Sequence, residues 1–148
     1  MGAGNRPGGR GRARKEDCVR ICDVIGWVDE VKPNAFPDRV KLEWLNALEG
    51  RVMAGVFLLS EAGVAEYSYK YPRDMEAELM VKQPHDDMYG LWLCAKVDEA
   101  NGEYDRYANS SRIFNAHYAN FVCWFADVYE PARGHAAEHA PRNERAAL

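Results

Sequence analysis

The chain has 148 residues, 47% of them hydrophobic, with a formal net charge of −4, which fits one domain with a real core. No run of about 18 apolar residues occurs, so no transmembrane helix is expected, and the basic, glycine-rich start has no apolar segment behind it, so no secretory signal is expected. The charge is unevenly placed: residues 1–15 carry Arg6, Arg10, Arg12, Arg14 and Lys15 and no acid (+5), residues 131–148 are +1, and the body between them is −10. A body this acidic repels a phosphate backbone.

Residues 1–15 offer almost nothing to bury and are expected to be disordered, either a solubilising tail or a contact for nucleic acid or an acidic neighbour. From Glu16 to Val31, the residues Cys18, Ile21, Cys22, Ile25, Val28 and Val31 recur at helical spacing, with Val24 and Trp27 widening the face. Lys32-Pro33 stops this first helix, because proline pushes its predecessor out of the α region. All four cysteines, Cys18, Cys22, Cys94 and Cys123, fall inside predicted helices and are expected as reduced, buried thiols. Cys18 and Cys22 share a face, but a metal site needs two further ligands.

Pro37 and Asp38 suit a helix entry. The second helix is expected to run to about Leu59, with Lys41, Leu45, Leu48, Val52, Val56 and Leu59 on one stripe and Leu42, Trp44 and Phe57 beside it. Gly50 and Gly55 weaken it by about 1 kcal/mol each relative to alanine. Ser60 to Gly63 reads as a loop. The period then changes to two: Tyr67, Tyr69 and Tyr71 alternate with polar residues, and after Pro72 so do Met75, Ala77, Leu79 and Val81. Two alternating runs around a proline turn predict a β-hairpin, Tyr67 to Val81. An isolated hairpin is marginal, so it must pack on the helices or be completed by another subunit.

Asp86 is the expected N-cap of a third helix, with Met88, Leu91, Trp92, Ala95 and Val97 facing inward and Tyr89 and Leu93 beside them. Asn101-Gly102 breaks it. The fourth helix, Glu103 to Tyr129, carries Tyr104, Tyr107, Ser111, Phe114, Tyr118, Phe121, Phe125 and Val128 at alternating spacings of three and four. At ~1.5 Å per residue this seam is ~40 Å long and asks for a partner surface. From Pro131 onward the sequence is alanine-rich and polar, a tail.

Little catalytic chemistry is readable. His135, Glu138 and His139 match H-x-x-E-H, but that motif works on a helix inside a walled cleft with a third ligand, and here nothing apolar buries it. His85 and His117 are isolated. No phosphate-binding glycine loop and no nucleophile elbow occur. No catalytic, cofactor or metal residue is therefore assigned.

Two segments, 28–52 and 78–125, carry a longer pattern. It runs Pro33-Asn34-x-Phe36, then Lys41-x-x-Trp44-Leu45-Asn46-x-Leu48-Glu49-Gly50. It continues with Pro84, Asp86 and Tyr89, then Asn101 to Ser110 (NGEYDRYANS), Phe114 and Asn115. This pattern resembles a family of small phage and prophage head-to-tail adaptor, or head-completion, proteins that form a ring under the portal. The resemblance implies a structural virion protein at the neck, made in the host cytoplasm. Its partners would be the portal protein, further copies of itself and the next neck or tail protein. DNA would pass through its channel without sequence-specific binding, and neither membrane nor cofactor is involved.

The expected architecture is mainly α: a four-helix bundle with an inserted β-hairpin, ordered α-α-β-β-α-α. A helical domain at 16–130 would lie between disordered termini at 1–15 and 131–148. The interface candidates are Tyr67, Tyr69, Tyr71, Met75, Leu79, Val81, Tyr104, Tyr107, Phe114, Tyr118, Phe121 and Phe125, and some of the aromatics of the fourth helix must be intramolecular core, a division the sequence does not make. Two alternatives stand beside this one: a nucleic-acid-binding accessory factor acting through residues 1–15, and a helical interaction module. The second arises because Gly102 to Arg106 has the look of a tetratricopeptide turn, although no second copy follows at that family's period.

Overall fold

The computed structural model describes residues 18–137, with side chains as far as Val128. The basic segment 1–15, expected to be disordered, lies outside the described residues, as do Glu138 and His139 of the H-x-x-E-H string. Five helices make up the described chain: α1 Ile21–Val31, α2 Asp38–Gly55, α3 Glu61–Glu66, α4 Asp87–Ala100 and α5 Tyr104–Ala137. No helix among them is long and apolar enough to cross a membrane.

The core lies where α1, α2 and α4 meet and α5 covers α4. Ile21, Val24, Ile25 and Val28 of α1 meet Leu42, Leu45, Leu48 and Val52 of α2, with Met88, Leu93 and Val97 of α4 and Phe114 and Phe121 of α5. Each of these side chains contributes about 1.5–3 kcal/mol by leaving water. The α4–α5 break is built on Gly102, whose φ of 73° suits a residue without Cβ. The Glu103 amide donates to the Asp98 carbonyl across the break (3.0 Å).

The expected hairpin is not formed, and among the described residues there are no β-strands, only one isolated bridge between Arg20 and Glu78. Residues 67–86 instead form an irregular strap, and its hydrogen bonds explain why. The Asp74 carboxylate accepts from the Lys70 amide (2.7 Å) and the Asp74 amide donates to the Lys70 carbonyl (2.8 Å). That winds 71–76 into turns. Asn46 of α2 takes both backbone groups of Tyr69, its Oδ1 accepting the N–H and its Nδ2 donating to the carbonyl, each at 2.9 Å. The carbonyls of Ala77 and Met75 accept from the Ile21 and Cys22 amides (3.0 and 2.9 Å), and the Leu79 amide donates to the Val19 carbonyl. Backbone groups of the strap are thus engaged by α2 side chains, by the strap's own turn and by the start of α1 rather than by a second strand.

The helix boundaries also differ from expectation. Residues 18–20 do not join α1, because they run beside the strap, whose carbonyls complete the orphan amides of the α1 N-terminus. The stretch from Ser60 is not a loop: Ser60 Oγ accepts from the Gly63 amide (3.2 Å) and caps the short helix α3. Helix α5 runs through Pro131 to Ala137, past the expected start of the tail. Asp86 occupies the N-cap of α4 but its side chain makes no capping hydrogen bond. Of the cysteines, only Cys94 is buried; Cys18 and Cys22 are half-buried and Cys123 is exposed, since it lies on the side of α5 turned from the core.

Candidate functional site

The pattern residues of α2 build a polar frame inside the fold. Glu49 falls within the buried stripe of Leu42, Leu45, Leu48 and Val52 and is 1% exposed. Its carboxylate accepts from Tyr89 Oη (2.6 Å), Tyr69 Oη (3.0 Å) and the Met80 amide (2.9 Å). Tyr89 Oη in turn accepts from the Val81 amide (2.9 Å). Burial pushes the Glu49 carboxyl above its usual range, and the three donors oppose that rise. Burial and the neighbouring Glu49 charge push both phenols up, so Tyr69 and Tyr89 remain donors.

Other pattern residues do similar work. Asn34 Oδ1 accepts from the Phe36 amide (3.1 Å), an Asx turn that positions Phe36 edge-on to Trp44 at 5.4 Å. Lys41, expected to keep its amine in water, is 2% exposed and pairs instead with Asp29, which also accepts from Asn34 Nδ2 (3.2 Å). Asp98, also buried, accepts from Lys32 Nζ and Ser110 Oγ, both at 2.8 Å, and so locks the α4–α5 turn to the end of α1. Trp92 Nε1 donates to the Trp44 carbonyl (2.7 Å). Asn34, Lys41, Asn46, Glu49, Tyr89 and Ser110 of the pattern are therefore engaged within the chain itself. Among the described residues no three His, Cys, Asp or Glu side chains are grouped to hold a metal ion.

The expected interface residues divide sharply. Leu79, Val81, Phe114 and Phe121 are buried in the chain's own core, so they are not available to another subunit in this fold. The aromatic seam of α5 faces α4, which runs against it, and this is why Phe114 stacks on Trp92 (5.1 Å) and Phe121 is enclosed by His85, Tyr118, Trp124 and Phe125. Tyr69, Met75, Tyr107, Tyr118 and Phe125 are half-buried. Tyr67, Tyr71 and Tyr104 stand exposed.

A different apolar surface appears where α5 leaves its neighbours. Helix α5 has 34 residues and α4 has 14, so at ~1.5 Å per residue they span ~51 and ~21 Å. Asp87, the first residue of α4, sits against His117 (3.1 Å). Beyond that point His85, 4.8 Å from Trp124, and Phe57, 5.1 Å from Phe125, support the helix by ring contacts. Trp124, Val122 and Val128 are exposed there. Leu58, next to Phe57 at the same end, is 64% exposed and has φ of 59°, the left-handed region that glycine or asparagine enters more cheaply. It follows the end of α2, where the Leu59 amide donates to the Met53 carbonyl (2.9 Å). Sequence reasoning placed Leu58 inside α2 and left Trp124 off the seam. The available signal was Val56-Phe57-Leu58-Leu59, an apolar run past Gly55 with no residue suited to a helix stop.

Comparison with protein-family models, with curated proteins and with solved structures yields no match for this chain.

Proposed function

We propose that this protein is a structural assembly component, a head-to-tail adaptor whose copies form a ring between a phage portal and the next neck or tail protein. The observation that carries the reading is the apolar end around Leu58, Trp124 and Val128. There an exposed leucine holds a left-handed backbone at about 1–2 kcal/mol, where glycine would relieve both the strain and the exposure. An exposed leucine held at that cost to its own fold fits a surface that a partner covers. Two further features support the reading. The pattern resembling the adaptor family falls on residues that frame this fold, Asn34, Lys41, Asn46, Glu49 and Ser110 among them, and α5 projects beyond its supporting neighbours as a docking rod. The acidic body suits a channel through which DNA slides without sticking. No catalysis is assigned to it.

The inner aromatic seam serves the chain's own core, and the free end of α5 with Leu58, together with Tyr67, Tyr71 and Tyr104, serves the partners. The experiment is native mass measurement and electron imaging of the protein mixed with the purified portal of the same virion. The expected result is a defined multimer bound to one end of the portal. A protein that remains monomeric and unbound at micromolar concentration overturns the reading.

A further inference from the structure

A cleft of about 360 Å³ opens between α1 and the start of α4, lined by Val19, Asp23, Val24, Trp27, Asp86, Asp87 and Gly90. Its floor is apolar. The Trp27 ring lies directly on Gly90: a Cβ built there would come within 2.5 Å of the ring, so only glycine admits this stacking. The outer face of Trp27 is nonetheless 46% exposed. The rim is acidic. Asp23 pairs with Arg20 and Asp87 with His117, but among the described residues no cation pairs with Asp86. Asp86 sits at a helix N-cap without capping it, lines this cleft and also the adjoining one formed with Cys18, Glu78 and Gln83, and burial pushes its carboxyl upward. An apolar floor with an exposed indole face and a carboxylate that, among the described residues, is held only by its own backbone amide and the nearby His85 is the chemistry that receives an arginine. The guanidinium stacks on the ring and pairs with the acid.

We propose that this cleft is the seat of the chain's own basic N-terminal segment, with an arginine from residues 10–15 lying over Trp27 and paired with Asp86. Two facts favour this occupant. The described chain begins at Cys18 and Val19, at the edge of the cleft, so Arg12 and Arg14 are within ~13–22 Å of chain even when extended at ~3.3–3.6 Å per residue. The segment is +5 and the body it faces is −10. Tethering makes the contact intramolecular, so a weak pairing is still well populated. The inference stands independently of the ring reading. It also gives the segment a role other than gripping DNA: it neutralises part of the acidic body.

The test uses the full chain and its side-chain N–H resonances. The Trp27 indole N–H is assigned with Trp27→Phe, and the parent is compared with Arg10→Gln/Arg12→Gln/Arg14→Gln/Lys15→Gln and with Asp86→Asn. Substitutions before Cys18 touch none of the core described above, so folding is not at issue for the first variant. The expected result is a shift of the Trp27 resonance in both variants, with Trp44 and Trp92 unmoved. Raising salt to molar concentration should bring the parent to the variants' position. A Trp27 resonance identical in parent and quadruple variant at low salt overturns the proposal. So does a shift that grows with protein concentration, since that assigns the cleft to a neighbouring copy's segment.

Discussion

Glu49 and Leu58 come from the same stretch of chain, yet their surroundings are opposite. Glu49 is a charged side chain in the middle of the core, and every donor around it is turned inward to satisfy it: two phenols and a strap amide. Leu58 is an apolar side chain 64% exposed, on a left-handed backbone. The first region is complete by itself and the second is not. The proposed reading assigns the structural task to the residues around α2 and the interaction task to the end of α5 near Leu58.

The comparison can be broken most forcefully at Glu49. Glu49→Ala leaves Tyr89, Tyr69 and the Met80 amide without their acceptor, and the expected loss is about 3–5 kcal/mol, read as a lower urea midpoint. Glu49→Gln sharpens the point through pH. Because the folded carboxyl titrates above its usual 4.5, its contribution is present at low pH and declines as pH rises through the raised value. The parent should lose stability across that window, and Glu49→Gln should lack that part of the slope. Asn46→Ala ranks next. It frees both backbone groups of Tyr69, with an expected loss of about 1–3 kcal/mol and faster hydrogen exchange at the Tyr69 amide.

At the other region the sign reverses. Leu58→Gly removes the left-handed penalty and should raise stability by about 1 kcal/mol, measured by the same denaturation, while weakening assembly. Val128→Lys should change stability by less than about 0.5 kcal/mol, because the side chain is exposed. Its effect is expected in association alone.

Much of the helical frame was legible in the sequence because helices announce themselves by period: α1, α2, α4 and α5 follow the spacing of their apolar residues. The strap was not. Tyr67 to Val81 has a strand's alternation, but alternation records only which side chains face inward. It does not record where the backbone groups find partners, and here Asn46, Glu49 and Asp74 took them. The pattern K-x-x-W-L-N-x-L-E-G showed that Asn46 and Glu49 were special without showing that their partners lay 20 to 40 residues away. The seam of α5 asks, by its spacing alone, for other helices or other subunits along its whole length; in the fold Phe114 and Phe121 are buried in the chain's own core, while Tyr104 and Val128 at its two ends stand exposed. What a one-dimensional pattern could not show is the length mismatch between α4 and α5, which leaves Trp124 and Val128 beyond the shorter helix.

The most direct test is native mass measurement of the portal mixture with the double variant Leu58→Gly/Val128→Lys beside the parent. The account predicts that the variant is as stable as the parent or more so, yet fails to join the multimer. A variant that assembles on the portal as fully as the parent would contradict it.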